Sequence, residues 1–155
     1  MTINITYTTD NLQFLSLFQK ITGVSPIDCV IEDDKISFII KEQDYFLIMA
    51  KAQSLPIKGK KGAFLFLNKI SKITSKKTEM IKYSEDVKKF ISNYFFLKGD
   101  EEVKVLNKTN GGYTSAIMFI KPHRRGLIIG KQGKRIQDAR YLLQKYFGFN
   151  KLYIK

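Results

Sequence analysis

The sequence predicts an α+β protein built from two similar units, each a three-stranded sheet with helices on one face. Segments with apolar residues at helical spacing are interleaved with short runs of branched apolar residues. The order of these segments is the same in both halves, and 155 residues can accommodate two small domains. We therefore predict a first domain at residues 1–83 and a second at residues 84–155.

The first half follows the order helix, strand, strand, helix, helix, strand. Thr9 and Asp10 are candidate N-caps of the first helix, and branched apolar residues mark the first two strands as a hairpin. The predicted elements are a helix that ends at Gly23, strands at 27–32 and 36–41, helices at 45–50 and 63–73, and a strand at 78–83.

The second half repeats this order. Ser84 is the predicted N-cap of its first helix, with Glu85 and Asp86 in the first turn, where the helix dipole favours acids. The predicted elements are a helix over 84–94, strands at 103–106 and 113–120 joined by a turn at 110–112, a short helix at 122–129, a longer helix at 136–146 and a strand at 152–154.

The charge of the chain points to polyanionic partners. It carries 27 Lys and Arg against 14 Asp and Glu, which gives a net charge of +13 and a pI near 9.7. Cys29 is the only cysteine, which excludes an internal disulfide and a multi-cysteine zinc site, and we expect no cofactor or metal. The sequence has no secretory signal pattern and no long apolar run, so we expect a cytoplasmic protein with no membrane contact.

Residues 130–133, Gly-Lys-Gln-Gly, separate a short apolar helix from a long amphipathic one; we call them the glycine loop. The pattern resembles the GxxG signature of KH domains. Glycines permit a sharp backbone turn and close approach of phosphates, and the next helix begins with free amide donors. The predicted RNA contacts of the second half are Gly130, Lys131, Gln132, Gly133, Lys134, Arg135, Arg124 and Arg125.

The corresponding loop of the first half has two possible positions. Alignment of the two halves pairs residues 50–53 with the glycine loop, but this segment contains no glycine. The other position is the basic segment Gly59, Lys60, Lys61 and Gly62, directly before a predicted helix. We favour this second position, because phosphate binding requires a helix N-terminus immediately after the loop.

Other groups of polar or aromatic residues have structural interpretations. The acidic pairs at 33–34 and 101–102 lie in a predicted hairpin or linker and are interpreted as solvated turn residues. The aromatic pairs at 95–96 and 146–147 have the helical spacing of core residues. The chain lacks a set of nucleophile, base and acid, so we expect no enzymatic activity.

Four segments in order, at 17–23, 28–34, 83–86 and 126–133, resemble the archaeal NusA-type transcription factors. The resemblance implies two tandem type II KH domains packed against each other, GxxG loops that contact RNA, and a role in elongation or termination beside RNA polymerase or nascent RNA. We expect a monomer that binds single-stranded RNA along both loops, mostly through the second domain. The alternative is a protein-interaction module that docks on RNA polymerase or the ribosome and attracts RNA only non-specifically.

Overall fold

A computed structural model describes residues 8–55, 60–107 and 114–155. Within these ranges the chain forms six α-helices and two three-stranded sheets, so the predicted α+β class is confirmed. By its internal contacts the chain divides into two compact units, Thr2–Tyr83 and Ser84–Lys155. The predicted turn at 110–112 lies outside the described residues.

Both units have the same order of elements. The first contains α1 (Thr9–Thr22), β1 (Asp28–Ile31), β2 (Lys35–Lys41), α2 (Glu42–Ala52), α3 (Lys60–Thr74) and β3 (Lys77–Tyr83). The second contains α4 (Val87–Phe95), β4 (Glu102–Asn107), β5 (Thr114–Phe119), α5 (Arg125–Ile129), α6 (Lys134–Phe147) and β6 (Lys151–Ile154). A 3-10 turn, Pro122–Arg124, precedes α5.

Each sheet is mixed, with the second strand of the unit at its centre. β2 pairs antiparallel with β1 and parallel with β3, and β5 pairs in the same way with β4 and β6. A parallel pair requires a long crossover. That crossover carries α2 and α3 in the first unit, and α5, the glycine loop and α6 in the second. The candidate site therefore lies in the connection between two parallel strands.

The core of the first unit forms where helices cover one face of its sheet. Alternate residues of β2, including Ile36 and Phe38, are fully buried against Phe18 of α1, Ile48 of α2 and Ile70 of α3. The rings of Phe18 and Phe38 lie 4.5 Å apart between centroids. Burial of each such side chain stabilises the fold by roughly 1.5–3 kcal/mol.

The ends of three helices differ from the sequence prediction. α1 has Thr8 as its N-cap, in a capping box with Asn11, instead of Thr9 or Asp10. α4 is capped by the Asp86 carboxylate, which accepts a hydrogen bond from the Lys88 N–H at 3.0 Å, whereas Ser84 was the predicted cap. α2 is longer than the predicted helix at 45–50. At α1 and α4, side-chain acceptors one or two residues apart compete for the same first-turn amides, which local sequence does not resolve, whereas α2 follows β2 directly and has no side-chain cap.

Buried isoleucines at equivalent positions of the two units allow a direct test of the core. Ile48 is 0% exposed and Ile128 is 1% exposed, whereas Leu127, adjacent on the same short helix, is 68% exposed. We expect Ile48→Val and Ile128→Val each to lower the free energy of unfolding by about 0.5–1.5 kcal/mol. Leu127→Ala removes more carbon atoms but should change it by less than about 0.5 kcal/mol. Urea unfolding monitored by circular dichroism measures these changes, and a larger loss for Leu127→Ala would contradict the assignment.

Candidate nucleic-acid interface

The glycine loop joins α5 to α6 through a left-handed turn. Gly130, Gln132 and Gly133 have φ values of +79°, +56° and +73°. The Gly133 N–H donates to the Gly130 carbonyl at 3.1 Å, and the Gly130 N–H donates to the Gly126 carbonyl at 2.9 Å. These bonds close the turn with backbone groups alone, so the side chains of Lys131 and Gln132 remain exposed.

The two glycines are required for different reasons. A Cβ at Gly130 would lie 2.6 Å from the Cβ and 2.9 Å from the backbone N of Arg135, so no side chain fits there. A Cβ at Gly133 would meet nothing closer than the Gln137 amide nitrogen at 3.7 Å. Gly133 is favoured only by its left-handed backbone. The tight packing of the loop is therefore set at Gly130.

The loop opens onto the N-terminus of α6. Gly133 is the N-cap of this helix and provides no side-chain cap, and the Lys134 N–H already donates to the Lys131 carbonyl in a 3-10 turn formed by Lys131–Gly133. The first amides of a helix have no partner within the helix, and the dipole gives this end a partial positive charge. The loop therefore ends in a group of backbone donors suited to an anion such as phosphate.

Three cationic side chains around the loop are exposed. Lys131 lies in the loop, Arg125 begins α5, and Lys134 begins α6. Lys134 also pairs with Asp138 at 2.7 Å, one helical turn later. Such an exposed pair contributes little free energy, so this ammonium group can exchange its partner for a phosphate.

The other two predicted contacts, Arg124 and Arg135, bind within the unit. Arg135 donates to the carbonyl of Tyr94 at 2.6 Å, and its guanidinium lies 4.9 Å from the centroid of the Tyr94 ring. Arg124 donates to the carbonyl of Phe96 at 3.1 Å and to a carboxylate oxygen of Glu101 at 3.0 Å. Their contact with RNA stays a prediction, and in this structure they hold α4.

Glu101 is buried, so its interpretation as a solvated turn residue is wrong. Its side chain is 1% exposed, and its second oxygen accepts from the Lys98 N–H at 3.0 Å. Burial acts to raise the pKa of this carboxyl, but the Lys98 and Lys121 amides and the Arg124 guanidinium outweigh it, leaving the pKa below its ordinary value. The partner Arg124 is distant in sequence, so no local pattern indicated the pair. Glu102 is exposed, as expected.

One predicted core aromatic is also exposed. Phe95 and Tyr146 are buried, as predicted, but Phe96 is 65% exposed. Phe96 adopts a left-handed conformation after the last turn of α4, with φ of +52°. Helical spacing no longer applies beyond the end of the helix, which is why the periodicity misplaced this side chain.

In the first unit, residues 50–53 do not form a loop. α2 continues through Ala52, which is fully buried, and Gln53 follows as its C-cap. Lys51 is exposed and donates to the Thr22 carbonyl at 2.9 Å, at the C-terminal end of α1, where a cation is favourable. The first unit therefore replaces the glycine loop, at the equivalent position, by a continuous helix.

The second candidate of the first unit is only partly described. Gly59 and the side chains of Lys60 and Lys61 lie outside the described residues. α3 begins at Lys60, earlier than the predicted start at residue 63, so Gly62 lies in its first turn and is buried. Glycine has no side chain and can occupy a buried position in a helix. The sequence pattern does not distinguish a glycine of this kind from a glycine in a loop.

Two structural features, a group of metal ligands and a membrane-spanning helix, are absent from the described residues. No three His, Cys, Asp or Glu side chains are grouped there as metal ligands. None of the described helices has the length and apolar character needed to cross a membrane.

Comparison with known proteins defines the class. Residues 86–154 match the KH domain family, so the second unit is a KH domain. A relative from Methanococcus vannielii, named as a probable transcription termination protein NusA, is 34% identical over 137 residues, covering 88% of this chain and 72% of that protein. One of the same name from Methanocaldococcus jannaschii is 30% identical over 145 residues, covering 94% and 72%. The chain belongs to the archaeal NusA family, which confirms the resemblance seen in its sequence.

A solved structure is similar over nearly the whole chain. The crystal structure of APE1850 matches with a TM-score of 0.74 and 24% identity, covering 96% of this chain and all of that one. At 24% identity, this similarity shows only that the two proteins share a fold.

The geometry of the loop predicts opposite effects for two Gly→Ala substitutions. Gly130→Ala should lower the free energy of unfolding by about 1–3 kcal/mol, because the new methyl group collides with Arg135 and the backbone is strained. Gly126→Ala is the matched control, because Gly126 lies in α5 and a Cβ there meets nothing within 4 Å. It should raise the stability by about 0.5–1 kcal/mol. Thermal and urea unfolding measure both, and equal effects would contradict the assigned roles.

Proposed function

We propose that this protein is an RNA-binding transcription factor of two tandem type II KH domains, at residues 1–83 and 84–155, and that the second domain binds single-stranded RNA through its glycine loop. The observation that carries the proposal is the left-handed turn at Gly130 and Gly133, which opens onto the uncapped N-terminus of α6 beside exposed Lys131. The names of the relatives support a role in transcription termination. We propose that the protein acts in the cytoplasm, in termination or elongation beside RNA polymerase.

Phosphates supply the main attraction in this proposal. The backbone of Gly130 and Gly133 allows close approach of a sugar-phosphate chain, while Lys131, Gln132 and the first amides of α6 donate to its oxygens. Arg125 and Lys134 add charge on either side of the loop. A GxxG loop of this kind accommodates about four nucleotides.

Apolar side chains beside the loop offer a surface for bases. Leu127 is exposed and Ile129 is 39% exposed, both on α5 immediately before Gly130. Exposed aliphatic groups next to a phosphate-binding loop lose unfavourable contact with water when a base covers them. We propose that bases of the bound strand lie against this surface.

The first domain contributes less in this proposal. Its helix α2 runs through the position of the loop, and Lys51 is held by the Thr22 carbonyl. Any contact from Gly59, Lys60, Lys61 and Gly62 would use the N-terminus of α3. The proposal therefore places most of the affinity in residues 125–134.

Replacement of the two exposed loop side chains by acids tests this function. The double substitution Lys131→Asp and Gln132→Asp should lower affinity for a labelled single-stranded RNA by at least about tenfold, because it places two acids where phosphates would bind. Fluorescence anisotropy measures the dissociation constant. The loop is exposed, so the unfolding temperature should change little.

A matched control separates this local effect from net charge. Gln144→Asp with Lys145→Asp makes the same change of charge on exposed residues near the other end of α6. This control should retain most of the affinity once its folding has been verified. Equal losses in the two double variants would show that only overall charge matters.

Salt dependence gives a second test of the proposed contacts. Each phosphate contact with a single strand should contribute about −0.7 to the slope of log K against log salt concentration, so three or four contacts predict about −2 to −3. Titrations over a range of salt concentrations measure it. A flat response would contradict phosphate binding.

A protein-docking function is the alternative. It is favoured by α2, which exposes Phe46 and Leu47 on the unit that lacks the glycine loop at the equivalent position. A module that docks on RNA polymerase would retain its weak RNA affinity when Lys131 and Gln132 become Asp. The loop substitutions therefore discriminate between the two functions.

A further inference from the structure

The two arginines that flank the loop segment converge on the end of α4. Arg124 lies directly before α5, and Arg135 lies in the first turn of α6. The Arg124 guanidinium donates to the Phe96 carbonyl at 3.1 Å, and the Arg135 guanidinium donates to the Tyr94 carbonyl at 2.6 Å. The last carbonyls of a helix lack partners within it, and its C-terminus favours cations. α4 therefore binds the segment at both ends.

Glu101 completes this arrangement. One of its oxygens accepts from Nε of Arg124 at 3.0 Å, and the other accepts from the Lys98 N–H at 3.0 Å. The same guanidinium thus uses Nε for the carboxylate and Nη2 for the Phe96 carbonyl. This geometry needs the planar fork of arginine, which a lysine ammonium group does not reproduce.

The segment between the two arginines has little else to hold it. α5 has five residues, too few for a helix to be stable alone, and Ile128 is its buried residue. The glycine loop follows with Lys131 and Gln132 exposed. Its position in the unit therefore depends on Ile128, on the close packing of Gly130 against Arg135 and on the two arginines at its ends.

We propose that Glu101 and Arg124, with Arg135, form an anchor that positions the glycine loop for RNA. The proposal rests on the RNA-binding function proposed above. It replaces the direct RNA contact predicted from the sequence for Arg124 and Arg135 by an action through the loop, without contact with the ligand. It gives a buried acid a favourable role in the binding of a polyanion.

When an acid is removed, the anchor and simple electrostatics predict opposite changes in RNA affinity. Removal of an acid from a basic protein raises its net positive charge, which by itself strengthens attraction to RNA. Loss of the Glu101 carboxylate instead frees Arg124 from its orienting partner and weakens the support of α5. The anchor therefore predicts weaker binding after a substitution that makes the protein more positive.

The experiment compares two neighbouring acids in the full chain. Glu101→Gln keeps the size of the side chain but turns one acceptor into an NH2 group that faces a donor, either Lys98 N–H or Arg124 Nε. We expect affinity for a labelled single-stranded RNA to fall by about threefold or more. Glu102→Gln removes the same charge from an exposed side chain and should leave affinity unchanged or slightly higher.

A second variant separates positioning from direct contact. Arg124→Lys keeps the positive charge but loses the fork, so affinity should fall while the salt slope stays that of the wild type. If Arg124 bound a phosphate directly, lysine would retain most of the affinity, and that result would overturn the proposal for this residue.

If a variant is too unstable for binding assays, amide hydrogen exchange tests the anchor instead. At a temperature where the wild type and the Glu102→Gln variant are folded, the anchor predicts faster amide exchange at 125–133 in Glu101→Gln than in the β5 strand. Uniform acceleration throughout the second unit would show a merely structural role and would contradict the anchor.

The outcomes distinguish this inference from the function on which it rests. If Glu101→Gln binds RNA as tightly as the wild type or more tightly, while the Lys131 and Gln132 double variant still loses affinity, the anchor is wrong and the RNA site stands. If the double variant binds normally, the proposed function itself fails.

Discussion

The close approach of Gly130 to the backbone of Arg135 is the constraint on which the candidate site depends. It allows α5 to end and α6 to begin within a few residues. A side chain at Gly130 would separate these two helices. The same contact brings Arg135 to the position from which it reaches α4, so one steric requirement links the glycine loop to α4.

The two units have the same fold but different segments after the first crossover helix. In both, a helix follows the central strand and buries an isoleucine at the equivalent position, Ile48 or Ile128. In the second unit Gly130 stops this helix and a loop follows. In the first unit Ala50 and Ala52 continue it, and Lys51 stabilises the end of α1. Ala50 thus continues the helix where Gly130, at the equivalent position, ends it.

Sequence patterns predicted the element order, the sheet content and the glycine loop, because these depend on local periodicity and on glycine conformations. The N-caps Thr8 and Asp86 were not predicted, because several nearby residues could serve as caps, and α3 begins at Lys60, three residues before its predicted start. The role of Glu101 could not be predicted either. Its partner Arg124 lies just after β5, and the pairing of β5 with β4 brings it close to Glu101, so this long-range ion pair leaves no periodic signal in the sequence.

The central claim is that the glycine loop contacts the backbone of single-stranded RNA. Its most direct test is ultraviolet crosslinking of a short RNA to the purified protein, followed by mass-spectrometric mapping of the attached residues. The account predicts crosslinks concentrated between residues 125 and 135, with few on α2. Crosslinks confined to the first unit, or spread evenly over the basic surface, would contradict it.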